Sequence, residues 1–235
     1  MKYKLCLFLS SLLNLIAAKT APCEELDPAD DPKNIVRPCP NFGLDCIREY
    51  FSKNSQCQIV YGPVPDPLYY GHYKVDIPNS NVTLDFSDVN VGGLNGNIVE
   101  FYINTETQKL VLAIETPSLR LYTEDALFQY NRKAKEPIER SDYLEVKYGR
   151  VTFTAVFHRL HNLDLSSADV NSYVENASPQ FELGPCIDPS SDTEAQNEFR
   201  KLMSSFRDDL RELFSLQGQI FMTSYIQYNI CDFGC

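Results

Sequence analysis

Residues 69–165 alternate apolar and polar positions with a dominant period of two. Val82, Leu84 and Phe86 alternate with polar partners, and so do Val151, Phe153, Ala155 and Phe157. Successive strand side chains point to opposite faces, so this pattern predicts strands with one buried face. Segments 98–103 and 110–114 are β-rich and joined by Asn104-Thr105-Glu106-Thr107, which predicts an antiparallel hairpin. Gly92-Gly93-Leu94-Asn95-Gly96 lies between strands. It lacks the lysine and following helix of a phosphate cradle and reads as a turn. Tyr148-Gly149-Arg150 reads as a bulge or bend.

The period changes at both ends. Leu44, Ile47 and Phe51 fall at spacings of three and four, which predicts a short helix over 43–55. Gly62-Pro63-Val64-Pro65-Asp66-Pro67 then forces a rigid extended turn. Across 191–216 the residues Phe199, Leu202, Met203, Phe206, Leu210, Leu213 and Phe214 line one helical face, with charged residues opposite. Ser191 with Glu194 reads as a capping box, Gly218 as a kink, and Ile220 to Ile230 as a continuation of the helix. The expected fold is α+β: a long curved antiparallel β-sheet wrapped around a long C-terminal amphipathic helix.

The first eighteen residues stand apart. Lys2 and Lys4 precede an apolar run from Cys6 to Ile16, and Ala17 and Ala18 supply a small-residue cleavage site. This reads as a signal peptide over 1–18, because a membrane span needs about 20 apolar residues. Residues 19–36 form an acidic, proline-containing leader, and 37–235 a single folded domain. The formal charge is −11, and it becomes −13 once Lys2 and Lys4 are removed. That balance repels phosphate backbones and excludes nucleic acid as a partner; membrane insertion is likewise not expected.

Eight cysteines are present, and seven remain after residue 18. In a secreted chain these read as disulfides with one left over. Cys39 and Cys46 lie close across the entry of the first helix and are expected to pair. Cys57, Cys186, Cys231 and Cys235 are expected to form two further bridges of open connectivity, leaving Cys23. Asn81-Val82-Thr83 is a glycosylation sequon; Asn176-Ala177-Ser178 is a weaker one, followed by Pro179. Catalytic signatures, paired C-x-x-C spacing and dinucleotide or nucleotide loops are missing from the sequence, so no catalytic residue, cofactor or metal is assigned. His158 and His161 supply two imidazoles, too few to close a zinc site.

The cysteine pattern carries a resemblance. Arg37-Pro38-Cys39, Cys46 and Asn54-Ser55-Gln56-Cys57 give C-x6-C-x10-C around a helix, and the chain ends Cys231-Asp232-Phe233-Gly234-Cys235. Between these ends come Asp76-Ile77-Pro78 before the Asn81 sequon, Glu100-Phe101, Leu110-Val111-Leu112, Pro117, Val156-Phe157 and Asn162-Leu163-Asp164-Leu165. This series resembles the fibrohexamerin family of silk proteins. The resemblance implies a secreted, non-enzymatic glycoprotein that associates non-covalently with fibroin heavy and light chains, or with a similar secretory cargo. It would aid their solubility, transport and secretion, with a homo-oligomer as a further expectation. Asp66-Pro67-Leu68 and Asn90-Val91-Gly92-Gly93-Leu94, with a long terminal helix, also resemble the juvenile-hormone-binding and takeout proteins. That alternative implies an extracellular carrier of a lipophilic small molecule, with the stripe from Phe199 to Phe214 lining its cavity. A dry core is the favoured reading of the same stripe.

Overall fold

The computed structural model describes residues 31–175 and 179–234, without the side chains of Leu213 and Leu216. The signal segment, most of the acidic leader with Cys23, the sequon at Asn176, and Cys235 lie outside the described residues. The elements run β1 (Ile35–Val36), α1 (Leu44–Asn54), β2 (Gln58–Ile59), β3 (Leu68–Ile77), β4 (Val82–Gly92), β5 (Asn97–Asn104), β6 (Lys109–Thr116) and β7 (Leu119–Tyr130). They continue with β8 (Ile138–Tyr148), β9 (Val151–Phe157), β10 (Asp169–Val174), β11 (Gln180–Leu183), α2 (Thr193–Leu216), α3 (Gly218–Asn229) and β12 (Cys231–Asp232).

The fold is α+β and antiparallel throughout, but the single long sheet expected from the sequence is divided. One five-stranded sheet has the order β1-β5-β6-β9-β10 and the other β11-β8-β7-β4-β3, with β12 pairing β2 separately. The links 93–96, 117–118 and 149–150 each carry the chain from one five-stranded sheet to the other. Pro117 offers no N–H to extend the β6 ladder, which stops at Thr116. Gly93 has φ +89°, and a Cβ there would lie 2.3 Å from the Ser118 carbonyl oxygen, so two of these links touch through a glycine. The predicted hairpin is β5–β6, and the predicted bend at Gly149 is the β8-to-β9 link.

Curvature of the second sheet comes from a crease that crosses three strands. Buried positions in β4 run Val82, Leu84, Phe86, then switch phase to Val89 and Val91. In β7 they run Leu119 and Thr123, then Ala126, Phe128 and Tyr130. In β3 the switch falls at Gly71 and His72. β8 keeps its phase, so its pairing with β7 slips between Thr123 and Ala126. An extra residue in a strand bends and twists it. Asp88 adopts φ 53° at the crease, and the buried Thr123 hydroxyl donates to the Ser87 carbonyl. The sheet thereby curls over α2.

The helices fill the space between the two inner faces. In α1, Ile47 and Phe51 are fully buried and Leu44 packs at the margin, as the spacing predicts. The long C-terminal helix is two helices. α2 stops at Leu216, and Gln217 with φ −104° and ψ 0° turns the chain into α3. A Cβ on Gly218 would lie 1.9 Å from Ser172 Oγ and 3.2 Å from its Cβ, so the start of α3 abuts β10 closely, and a larger residue would have to displace the Ser172 hydroxyl. The expected cap at Ser191 is displaced by one residue. Asp192 is the N-cap and accepts from the Glu194 and Ala195 amides, each at 3.0 Å. These amides, the Ala195 one foremost, and the Arg132 guanidinium hold the Asp192 carboxyl below its usual range.

Candidate functional site

The helical stripe is the first site the sequence nominates, and the structure places it inside. Leu202, Phe206, Leu210 and Phe214 are buried, while Phe199 and Met203 pack at the edge of the same core. Leu213's side chain lies outside the description. Phe206 meets Phe181 and Phe128 of the second sheet, with ring centroids 4.7 and 6.2 Å apart. Phe214 meets Tyr148 of the second sheet at 4.2 Å and Phe153 of the first at 5.7 Å. The stripe therefore joins the two sheets and does not face a partner.

Little room is left beside it. Two spaces remain between the second sheet and the helix junction, of about 50 and 60 Å³. Small-molecule sites usually measure about 300–1,000 Å³. Both spaces beside the stripe lie well below that range.

Surface character differs sharply between the sheets. Residues paired across an antiparallel ladder share a face. On the outer face of the first sheet, Tyr102, Val111, Val156 and Asp169 form one row, Glu100, Ala113, Thr154 and Asn171 the next, and Asn97, Glu115, Thr152 and Tyr173 the third. The two central strands present the uncharged Val111, Ala113, Thr152, Thr154 and Val156 on this face, with Ala113 itself buried, and Tyr173 is 62% exposed at its edge. Arg37, Glu100, Glu115 and Arg150 supply ion pairs at its margins. The helices pack on the opposite face, where Phe51 touches Phe101 and Phe157. The outer face of the second sheet instead carries ion pairs such as His72 with Asp85 and Arg120 with Glu145. Sequence reasoning overlooked the first face, although the signal was present: the outward positions Val111, Ala113, Thr152, Thr154 and Val156 hold no charge.

Two disulfides clamp one end of the molecule. Cys39 pairs with Cys46 at the entry of α1, as expected, and Cys57 pairs with Cys231 across β2 and β12. Buried Arg48 adds a link between the same elements, donating from Nε to the Asn229 carbonyl at 2.9 Å. Cys186 is exposed and bridges no described residue, and Cys235, the other member of its expected set, lies outside the described residues.

Asn81 follows β3 in a left-handed conformation with φ 50° and is exposed. Its Nδ2 lies 3.3 Å from Glu198 Oε2 of α2. The sequon hydroxyl is engaged: Thr83 is buried, donates to Asp76 at 2.7 Å and accepts from Asn131 at 3.2 Å.

Titratable groups shifted by the fold move away from neutrality. Burial pushes Tyr73 and Tyr225 up to about 12 and drives Tyr130 and Tyr148 higher still. Asp142, held by the Cys186 and Tyr143 amides, moves down, as does Glu145 beside Arg120 and Lys147. Asp142 also raises the Cys186 thiol, which favours its protonated form. A general acid or base works best near the ambient pH, so these shifts read as structural. His158 pairs with Asp169 at 2.7 Å, and no group of three or more His, Cys, Asp or Glu with metal-holding geometry occurs among the described residues. No described helix is long and apolar enough to cross a membrane.

Two antiparallel sheets closed on a helix pair and clamped by disulfides define a stapled α+β protein. The chain belongs to the family described as Fibroin P25, whose model matches residues 35–235. It is similar to the fibrohexamerin of Galleria mellonella, at 27% identity over 225 residues, covering 94% of this chain and 98% of that one. Among solved structures it is similar to Takeout 1 of Epiphyas postvittana, with a TM-score of 0.46 and 12% identity over 69% of this chain and 77% of that one.

Proposed function

We propose that this chain is a secreted, non-enzymatic silk glycoprotein that associates non-covalently with fibroin chains and keeps them soluble during transport. Membership of the Fibroin P25 family over residues 35–235 carries this reading. The outer face of the first sheet is compatible with it. The uncharged centre of the first sheet's outer face offers area to a partner, while the net charge of −13 left after Lys2 and Lys4 are removed keeps the remainder hydrated. Affinity purification from the producing tissue should recover fibroin heavy and light chains that separate from this chain without reduction. Val111→Glu should lower that recovery by about tenfold at an unchanged melting temperature, because it places a charge between Tyr102 and Val156. Recovery of no fibroin under mild conditions overturns the reading.

Glycosylation at Asn81 belongs to the same proposal. Because the Thr83 hydroxyl is buried in the folded hairpin, the sugar would be added before β3 and β4 close. The secreted protein should lose the mass of one glycan in Asn81→Gln and on enzymatic deglycosylation. Identical mobility of the two proteins rejects it. The lipophilic-carrier alternative receives no support from spaces of about 50 and 60 Å³.

A further inference from the structure

A cleft of about 580 Å³ lies where the chain crosses between the sheets, on the outward side of the second one. Its shape follows from the strand register. Asn90 pairs with Tyr122, and Tyr122 with Glu145; in the next row Gly92 pairs with Arg120, and Arg120 with Lys147. Gly92 carries no side chain, which lets the Asp66 carboxylate stand over the β4 end of the second row, 3.2 Å from where a Cβ would lie. Pro67 lines the cleft beside it, and Asp66 accepts from the Gly93 amide at 3.2 Å.

The chemistry around the cleft is balanced. Arg120 Nε and Lys147 Nζ both contact Glu145 Oε1, at 2.5 and 2.9 Å. With Asp66 opposite, two cations face two carboxylates. A strongly charged ligand of either sign would meet repulsion as well as attraction. The walls present donors on Arg120, Lys147 and Asn90 and an acceptor on Asp66, while Glu145 stands behind the two cations and offsets their charge. Tyr122 adds a flat apolar surface, with the Arg120 guanidinium 5.3 Å from its ring centre. A ligand matched to this lining is neutral, donates and accepts hydrogen bonds along its edges, and has an apolar C–H face. That describes a pyranose. The volume falls within the range of about 300–1,000 Å³ usual for small-molecule sites.

We propose that this cleft binds a neutral saccharide, either a short free oligosaccharide or the terminal unit of a glycan on another protein. The proposal is independent of the fibroin reading, since it uses the opposite sheet and a different class of ligand. Saturation-transfer NMR on the intact secreted protein, with methyl hexosides and linear hexose oligomers, tests the free-sugar source; a glycan array tests the protein-borne one. Inorganic phosphate and laurate serve as comparison ligands. Transfer to the C–H protons of at least one neutral hexoside, or binding to array glycans with neutral termini, is expected. Tyr122→Ala and Arg120→Ala should each weaken it by about tenfold. Tyr173→Ala, on the other sheet, should leave it unchanged. Lys147→Ala replaces either cleft variant that fails to fold. Binding of phosphate or laurate alone, no saccharide binding in both assays, or saccharide binding indifferent to the cleft variants overturns the proposal.

Discussion

Replacing Cys57 and Cys231 together by serine should lower the unfolding free energy by about 5 kcal/mol. The expectation follows from loop length. The bridge joins residues separated by 174 positions, so it removes a large set of open conformations from the unfolded chain. Cys39 and Cys46 are separated by 7, and the same reasoning gives about 2–3 kcal/mol for their double serine variant. Urea unfolding of the three proteins without reductant checks both values and their order. The double replacement also avoids leaving a lone thiol free to exchange. The longer bridge matters beyond chain entropy. It holds β2 against β12 and thereby keeps Phe51 among Phe101, Phe157 and Phe233. An equal loss in the two variants would mean that the unfolded chain already keeps its ends together.

Much of this architecture is legible in the amino-acid order, and the misses share a cause. Ile47 and Phe51 announce α1, Leu202, Phe206, Leu210 and Phe214 announce the buried side of α2, and the hairpin β5–β6 falls where its β-rich runs predict. These signals are local, because burial on one face repeats every 3.6 or two residues. The division into two sheets is not local. It depends on which strand each link reaches, and Gly93, Pro117 and Gly149 read alike whether a chain turns within a sheet or leaves it. The crease escapes a period-two reading for another reason. A one-residue slip in β4 at Asp88 is matched by slips in β3 and β7, so pairing survives while the buried phase reverses. The helix break falls where Gly218 marks a kink in the sequence, although its approach to Ser172 of β10 is a contact between distant parts of the chain. The outer face of the first sheet lay within reach of the sequence. Its uncharged outward positions follow directly from the alternation once β6 and β9 are paired, but attention to the buried phase hides them.

Truncating Phe214 to alanine should cost about 3–5 kcal/mol, among the largest effects of any single substitution in this chain. Phe214 is 3% exposed and stands where three elements meet. Its ring lies 4.2 Å from Tyr148, 5.1 Å from Phe221 and 5.7 Å from Phe153. Losing it removes transfer free energy and contacts to both sheets, and the void joins the neighbouring space of about 50 Å³ that Phe214 already lines. Ile220→Ala, on a side chain that is 40% exposed in the next helix, should change stability by less than about 1 kcal/mol. Thermal and urea unfolding of both variants measure the contrast. The same pair separates a dry core from a carrier. An enlarged apolar cavity takes up small apolar molecules, so the alanine variant should be partly restabilised by benzene while the parent protein is indifferent to benzene and to longer isoprenoids. Stoichiometric uptake of an isoprenoid by the parent protein would show that α2 and the second sheet separate to admit cargo, and the packed interior would then be only one of two states.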